Sequence, residues 1–378
     1  MSQDLNGMGR FHLQNDSYGI AAFYFHRAIR QQPSTGSAWN GLVLSLGLMR
    51  READTQTVLA RFALSPQLPF DKQLVPSAFM MYRNHPQAMA AWARAMAGRS
   101  NVSAEERQGF TAMAEDIDEQ YGKLVAERGE EALKREGMMT LEELAARVTE
   151  LDLIMQGQAD ALVARAEQWL KDESTALTAI RMLSLLPEPR SERLLRRTCR
   201  DESLPGKMRT HALLALRWMG VREKVRLHKL GESFVVDLSD PKPELTISVP
   251  SAYKPALDRM HLWIAKEQGM VTHEEYESFA STEELELPQP LAEKVKAADL
   301  PGHLQEVVHT VIRSAYDEYY PVVPFIREYR SWGNAFLIIM KEYVEGNGMK
   351  WTYGELEQDD TAALHRNWLL SAVSDFQQ

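Results

Sequence analysis

The chain has 378 residues and a formal net charge of −10, with 44% hydrophobic and 25% charged residues. That length exceeds one ordinary core, and the acidic balance disfavours a general nucleic-acid binder. A single cysteine, Cys199, excludes an internal disulfide and any multi-cysteine zinc site.

The first expected element is a helical pair ending near Pro33. Small Ala21 and Ala28 let two antiparallel helices approach, while Tyr18 and Phe25 fill the space between them. Asn15-Asp16-Ser17 is expected to make the turn and cap the second helix, and Pro33 to end it. One period on, Ala38-Trp39-Asn40-Gly41-Leu42 opens a second pair, whose second helix runs from about Thr55 to Leu64. A third pair follows. Its first helix is expected at about Asp71 to Tyr82, disturbed by Pro76, and its second repeats the small–aromatic–small triplet at Ala88, Trp92 and Ala95.

Met8-Gly9, Tyr18, Ala21, Phe25, Ala28 and Pro33 together resemble the tetratricopeptide repeat, a helix–turn–helix unit of about 34 residues. The resemblance implies stacked repeats over residues 3–98, a curved α-solenoid whose inner helices line a groove for an extended peptide. On that reading Asn6, Arg10 and Gln14 share one face of the first inner helix, and Asn40 and Leu44 face the groove from the next. An ordinary solvated face gives the same spacing. The carboxylate clamp of some members of that family is not matched, because Asn6, Arg10, Gly41, Phe70 and Leu74 stand at its positions and the third helix offers no cation.

Residues 103–136 hold ten acidic and five basic residues around a narrow apolar stripe, Phe110, Met113, Ile117, Tyr121, Leu124 and Val125. One long helix is expected there. Thr140-Leu141-Glu142-Glu143 reads as a capping box. Asp-Glu-Ser recurs at 172–174 and 201–203, each time ahead of an expected helix. The stretch from Asp201 to Arg209, followed by Ala212, Leu213, Ala215, Leu216 and a capping Gly220, resembles a HEAT-type repeat. Residues 190–230 carry twelve Lys or Arg against four Asp or Glu, and Arg193, Arg196, Arg197 and Arg200 fall at helical spacing on one face. Such a strip suits a solvated surface, pairing with the acidic 271–300 stretch, an acidic protein partner, or nucleic-acid phosphates.

Beyond residue 222 the pattern changes. Val225-Arg226-Leu227, Phe234 to Leu238 and Leu245 to Val249 predict a three-stranded antiparallel meander. Helices are expected near Tyr253–Gln268, Thr272–Thr282, His303–Tyr319, Phe325–Tyr343 and Asp360–Phe376, with proline loops between them. Ten aromatics from Tyr316 to Tyr353 either fill a core or build a pocket.

No chemistry-bearing motif emerges. His303, Glu306 and His309 are too splayed around a helix to share one ion easily, and no phosphate loop, dinucleotide fingerprint or nucleophile elbow is present. No catalytic residue, metal or cofactor is therefore assigned. The greasiest run, Phe336 to Met340, is five residues against the roughly 20 a bilayer requires. With no secretory pattern at the start, a cytoplasmic protein without a membrane segment is expected.

The expected architecture is mainly α: tetratricopeptide-like repeats over 1–100, a linking helix and HEAT-like block over 101–222, and a smaller α+β domain over 223–378. The expected function is a non-catalytic scaffold or adaptor holding a protein or peptide partner in the first groove. Two alternatives stand beside it, a regulatory or catalytic C-terminal domain and nucleic-acid binding by the basic strip. The partner's identity and the oligomeric state are not encoded in these patterns.

Overall fold

The computed structural model describes residues 4–373. Among them are twenty α-helices and one two-stranded antiparallel hairpin, so the protein is mainly helical. They gather into two compact units. One comprises the described residues up to Arg197 with Ala215–Arg222, the other Thr198–Leu214 with the described residues from Glu223 on. The sequence divisions at 100/101 and 222/223 differ from this: only the second falls at an edge between units, and 198–214 groups with the C-terminal residues.

The first unit opens with α1 (Leu5–Gln14), α2 (Tyr18–Gln31), α3 (Gly36–Leu48) and α4 (Glu52–Ala63). A 3-10 turn, Lys72–Leu74, then leads into α5 (Val75–Met81) and α6 (Pro86–Ala97). The α5 helix is shorter than expected because Pro76 occupies its first turn, where a missing N–H costs nothing. Each helix packs on the next in chain order, and α1 also meets α3. Ala21, Phe25, Ala28, Ala88 and Trp92 of the small–aromatic–small triplets are buried, whereas Ala95 is only partly so. Ser17 does not cap α2 with its side chain. Its hydroxyl instead donates to the Asn15 carbonyl at 3.3 Å and accepts from Arg222 Nη2 at 2.8 Å.

The expected single helix over 103–136 is two, α7 (Ala104–Arg128) and α8 (Glu130–Arg135), because Gly129 turns left-handed at φ +82°. Next come α9 (Leu141–Ala146), α10 (Glu150–Met155), α11 (Ala159–Trp169), α12 (Glu173–Leu183) and α13 (Pro189–Thr198). The Thr140–Glu143 capping box forms as expected. A buried polar knot fastens this segment to the first helices. Arg61 on α4 grips Asp152 bidentately at 3.0 and 2.8 Å and donates to the carbonyls of Ala145 and Arg147. Nearby, Arg51 bridges Asp54 at 2.5 Å and Glu150 at 2.6 Å. Burial by itself would raise the Asp152 carboxyl. The His26 and Arg61 side chains and the Thr149 amide nevertheless hold it far below the usual carboxylate range.

In the second unit the end of α18 (Gly302–Tyr319) organises its neighbours, after the Gly206–Leu214 part of α14 (Gly206–Trp218), β1 (Lys224–Lys229), β2 (Glu232–Asp237), α15 (Lys254–Glu267), α16 (His273–Ala280) and α17 (Gln289–Ala297). The Glu318 carboxylate accepts from the Gly206 and Lys207 amides at 3.2 and 2.9 Å, and Thr210 Oγ1 donates to the Asp317 carbonyl at 2.6 Å. Buried Lys229 on β1 donates to the carbonyls of Asp317 and Glu318, and burial brings its amine down to about 7. These bonds explain why 198–214 belongs here. The chain closes with α19 (Tyr329–Gly346) and α20 (Asp360–Leu370); the expected stretch beyond residue 373 lies outside the described residues.

The meander is a hairpin only. β1 and β2 pair from Lys224 with Asp237 to Lys229 with Glu232, while 245–249 forms no strand. Leu245 and Ile247 are still buried in alternation, between flanking Pro243 and Pro250.

Candidate functional site

A cleft of about 430 Å³ lies over the adjoining helices α1 and α3. Its floor depends on two glycines. A Cβ on Gly9 would stand 2.7 Å from the Phe25 ring and one on Gly41 only 2.3 Å from it, so both inner helices close on the ring because neither residue has a side chain. Arg10 and Leu13 of α1, Asn40 and Leu44 of α3, and Phe70 and Asp71 of the following turn line the space. Leu44 is 48% exposed, an apolar side chain left without cover, and Arg10 is exposed beside it in the same cleft.

The expected residues do not act as one row. Arg10, Asn40 and Leu44 line the cleft. Asn6 sits at its edge through a 3.0 Å hydrogen bond to Ser37 Oγ, with its own Oδ1 buried and unpartnered. Gln14 is exposed and outside the cleft lining. Asn40 is committed within the chain, its amide donating to Asp71 Oδ2 at 3.0 Å and to Gln73 Oε1.

Phe70, Asp71 and Gln73 are the lining residues that helical spacing did not reveal, because 70–74 is a turn and not the start of a helix. Asn101 holds that turn by accepting from the Phe70 amide at 2.6 Å and donating to its carbonyl at 2.9 Å. The distribution of polar capacity follows. Asp71 is satisfied by Asn40 and by the Gln73 amide, which leaves the exposed Arg10 guanidinium as a cationic handle beside an apolar ledge.

The basic strip is less continuous than its spacing implied. Arg193, Arg196 and Arg197 lie on α13, but that helix ends at Thr198, so Arg200 lies beyond it. Arg196 pairs with Glu192 at 2.7 Å, and Arg190 and Arg197 both reach Glu167, at 2.7 and 3.8 Å. The acidic 271–300 stretch supplies partners to other cations: Glu275 pairs with Lys294 and Glu277 with Arg330.

The aromatic run divides. Tyr316, Tyr320, Trp332 and Phe336 are buried around Tyr253, whereas Phe325 is 78% exposed. Cys199 is buried. Among the described residues no group of three His, Cys, Asp or Glu side chains is placed to hold a metal, and no helix is long and apolar enough to cross a membrane. Set against protein-family models, curated proteins and solved structures, the chain matches none.

Proposed function

We propose that this protein is a non-catalytic scaffold that holds an extended segment of another polypeptide in the cleft over α1 and α3. The observation that carries the reading is the open cleft itself, lined by Arg10 from α1 and Leu44 from α3. Such a wall offers one charged anchor and one apolar ledge, which suits an acidic side chain or carboxylate next to an aliphatic residue. The stacking of helix pairs α1 to α6 in chain order supports tetratricopeptide-like repeats continued by HEAT-like pairs, an α-solenoid in which each pair covers the apolar face of its neighbour. One cysteine in 378 residues supports a reducing, cytoplasmic setting for this adaptor.

The test is a paired substitution, Arg10→Ala with Leu44→Ala, in the full chain. Both side chains are exposed, so the thermal midpoint is expected to stay within error of the native value. Partner recovered by affinity capture from the native lysate is expected to fall about tenfold, the size of a modest hot-spot loss. Unchanged recovery at unchanged stability refutes the groove. Asn40→Ala serves as a contrast, since it releases Asp71 and Gln73 and acts by loosening the 70–74 turn.

A further inference from the structure

The second unit carries a larger cleft, about 670 Å³, which the scaffold reading does not use. Tyr253, Tyr316, Phe325 and Tyr329 line it together with Pro250 and Pro324. The lining is braced from behind. Tyr316 Oη donates to the Glu244 carbonyl at 2.7 Å, and the Glu244 carboxylate accepts from the Ser251 amide and hydroxyl at 2.8 and 2.6 Å. Buried Arg259 donates to the carbonyls of Thr282 and Glu284 at 3.1 and 2.7 Å, which holds the loop leading into Leu285 and Glu286 at the cleft. A cleft fixed by prolines and by bonds to backbone carbonyls is preformed, so an occupant loses little to reorganisation.

Three features describe what would fill it. Phe325 exposes 78% of its surface, with only the Arg327 guanidinium laid over one side of its ring at 4.6 Å. Tyr253 is fully buried, hydroxyl included, so it backs the cleft wall as a fixed aromatic support. The lip is acidic: Glu286 is exposed at the cleft and follows exposed Glu283 and Glu284, while the lining cation Lys254 is paired with Asp258 at 3.0 Å.

We propose that this cleft binds a proline-rich peptide segment bearing a basic residue, taken in the polyproline II conformation. Such a segment makes no internal hydrogen bonds and is extended before it binds, so it can lie along a preformed wall. Its pyrrolidine rings pack on Tyr316, Phe325 and Tyr329, as proline-rich ligands do on aromatic grooves. Its Lys or Arg pairs with Glu286 at the lip. The assignment rests on the second unit alone and does not depend on the cleft over α1 and α3.

Fluorescence anisotropy of the full chain with a fluorescein-labelled oligoproline ending in arginine tests it. Saturable binding is expected, and the same peptide ending in glutamate should bind about fivefold more weakly, the scale of an exposed ion pair. Phe325→Ala should weaken binding about tenfold without a change in thermal midpoint, since the ring is exposed. Absence of saturable binding, equal affinity for the arginine and glutamate peptides, or native affinity in Phe325→Ala overturns the proposal. Stabilisation by small apolar compounds without oligoproline binding also overturns it and makes the cleft a small-molecule site.

Discussion

Asp152→Ala is expected to lower the unfolding free energy of the first unit by about 3 kcal/mol, roughly a hundredfold in the equilibrium constant. The size follows from what the carboxylate holds. It takes both terminal nitrogens of Arg61 at 3.0 and 2.8 Å, accepts from the Thr149 amide and hydroxyl at 3.0 Å each, and stands 3.4 Å from His26 Nε2. Its side chain is only 11% exposed, so solvent does not replace those bonds when it is removed. Arg61 keeps two backbone carbonyls, which is why the loss is smaller than for a fully stranded cation. Asp152→Asn retains an acceptor and should cost less, about 1–2 kcal/mol.

The pH dependence separates charge from shape. The native carboxyl is held well below its unfolded value of about 3.9, so the unfolded chain binds the proton first as the solution is acidified. Asp152 therefore contributes its full electrostatic stability above about pH 4–5 and loses it as pH falls towards the depressed native value. In urea titrations the gap between native protein and Asp152→Asn should be widest near neutrality and narrow below about pH 4. A gap that stays constant across that range would show that Asp152 acts through packing alone.

Much of the helical order was legible because its signals are local. The alanine–aromatic–alanine triplets around Phe25 and Trp92 lie within single helices, and the Thr140–Glu143 capping box joins residues three apart. Proline was the consistent source of error. Pro76 looked like a flaw inside a helix, and Pro290 hid α17 entirely, although both occupy the first turn, where proline is at home. The alternation at Leu245 and Ile247 encoded burial correctly but not a strand, since alternation sets a buried face and says nothing of ladder donors.

The candidate sites were only partly legible, for a different reason. The repeat resemblance implied a common groove for Arg10 and Leu44, yet the fate of Asn40 was decided by Asp71 and Gln73, 31 and 33 residues away in sequence. No periodicity reports such a bond. The cleft of the second unit is harder still, because its lining comes from Pro243, Tyr253, Leu285, Tyr316 and Phe325, separate segments whose meeting is a tertiary fact. Only the aromatic density between Tyr316 and Tyr353 hinted at it, and most of that density fills the core.

Phe25→Leu combined with Gly41→Ala is expected to give a strongly non-additive result. Phe25 is fully buried, and its ring reaches the space over both inner helices, where added Cβ atoms would come as close as 2.3 Å at Gly41. In the native background Gly41→Ala must push the ring aside. Overpacking of about 1–3 kcal/mol then outweighs the roughly 1 kcal/mol that alanine gains over glycine inside a helix. Phe25→Leu by itself should cost about 1–2 kcal/mol as the far end of the ring is lost and a void opens above Gly41. Together the new methyl enters the space that the ring has vacated, and the helix gains its better former. The double variant should therefore be more stable than the sum of the single losses by about 2 kcal/mol in a double-mutant cycle. Additive losses would mean that the ring is not wedged against Gly41, and the close approach of α1 to α3 would then need another cause.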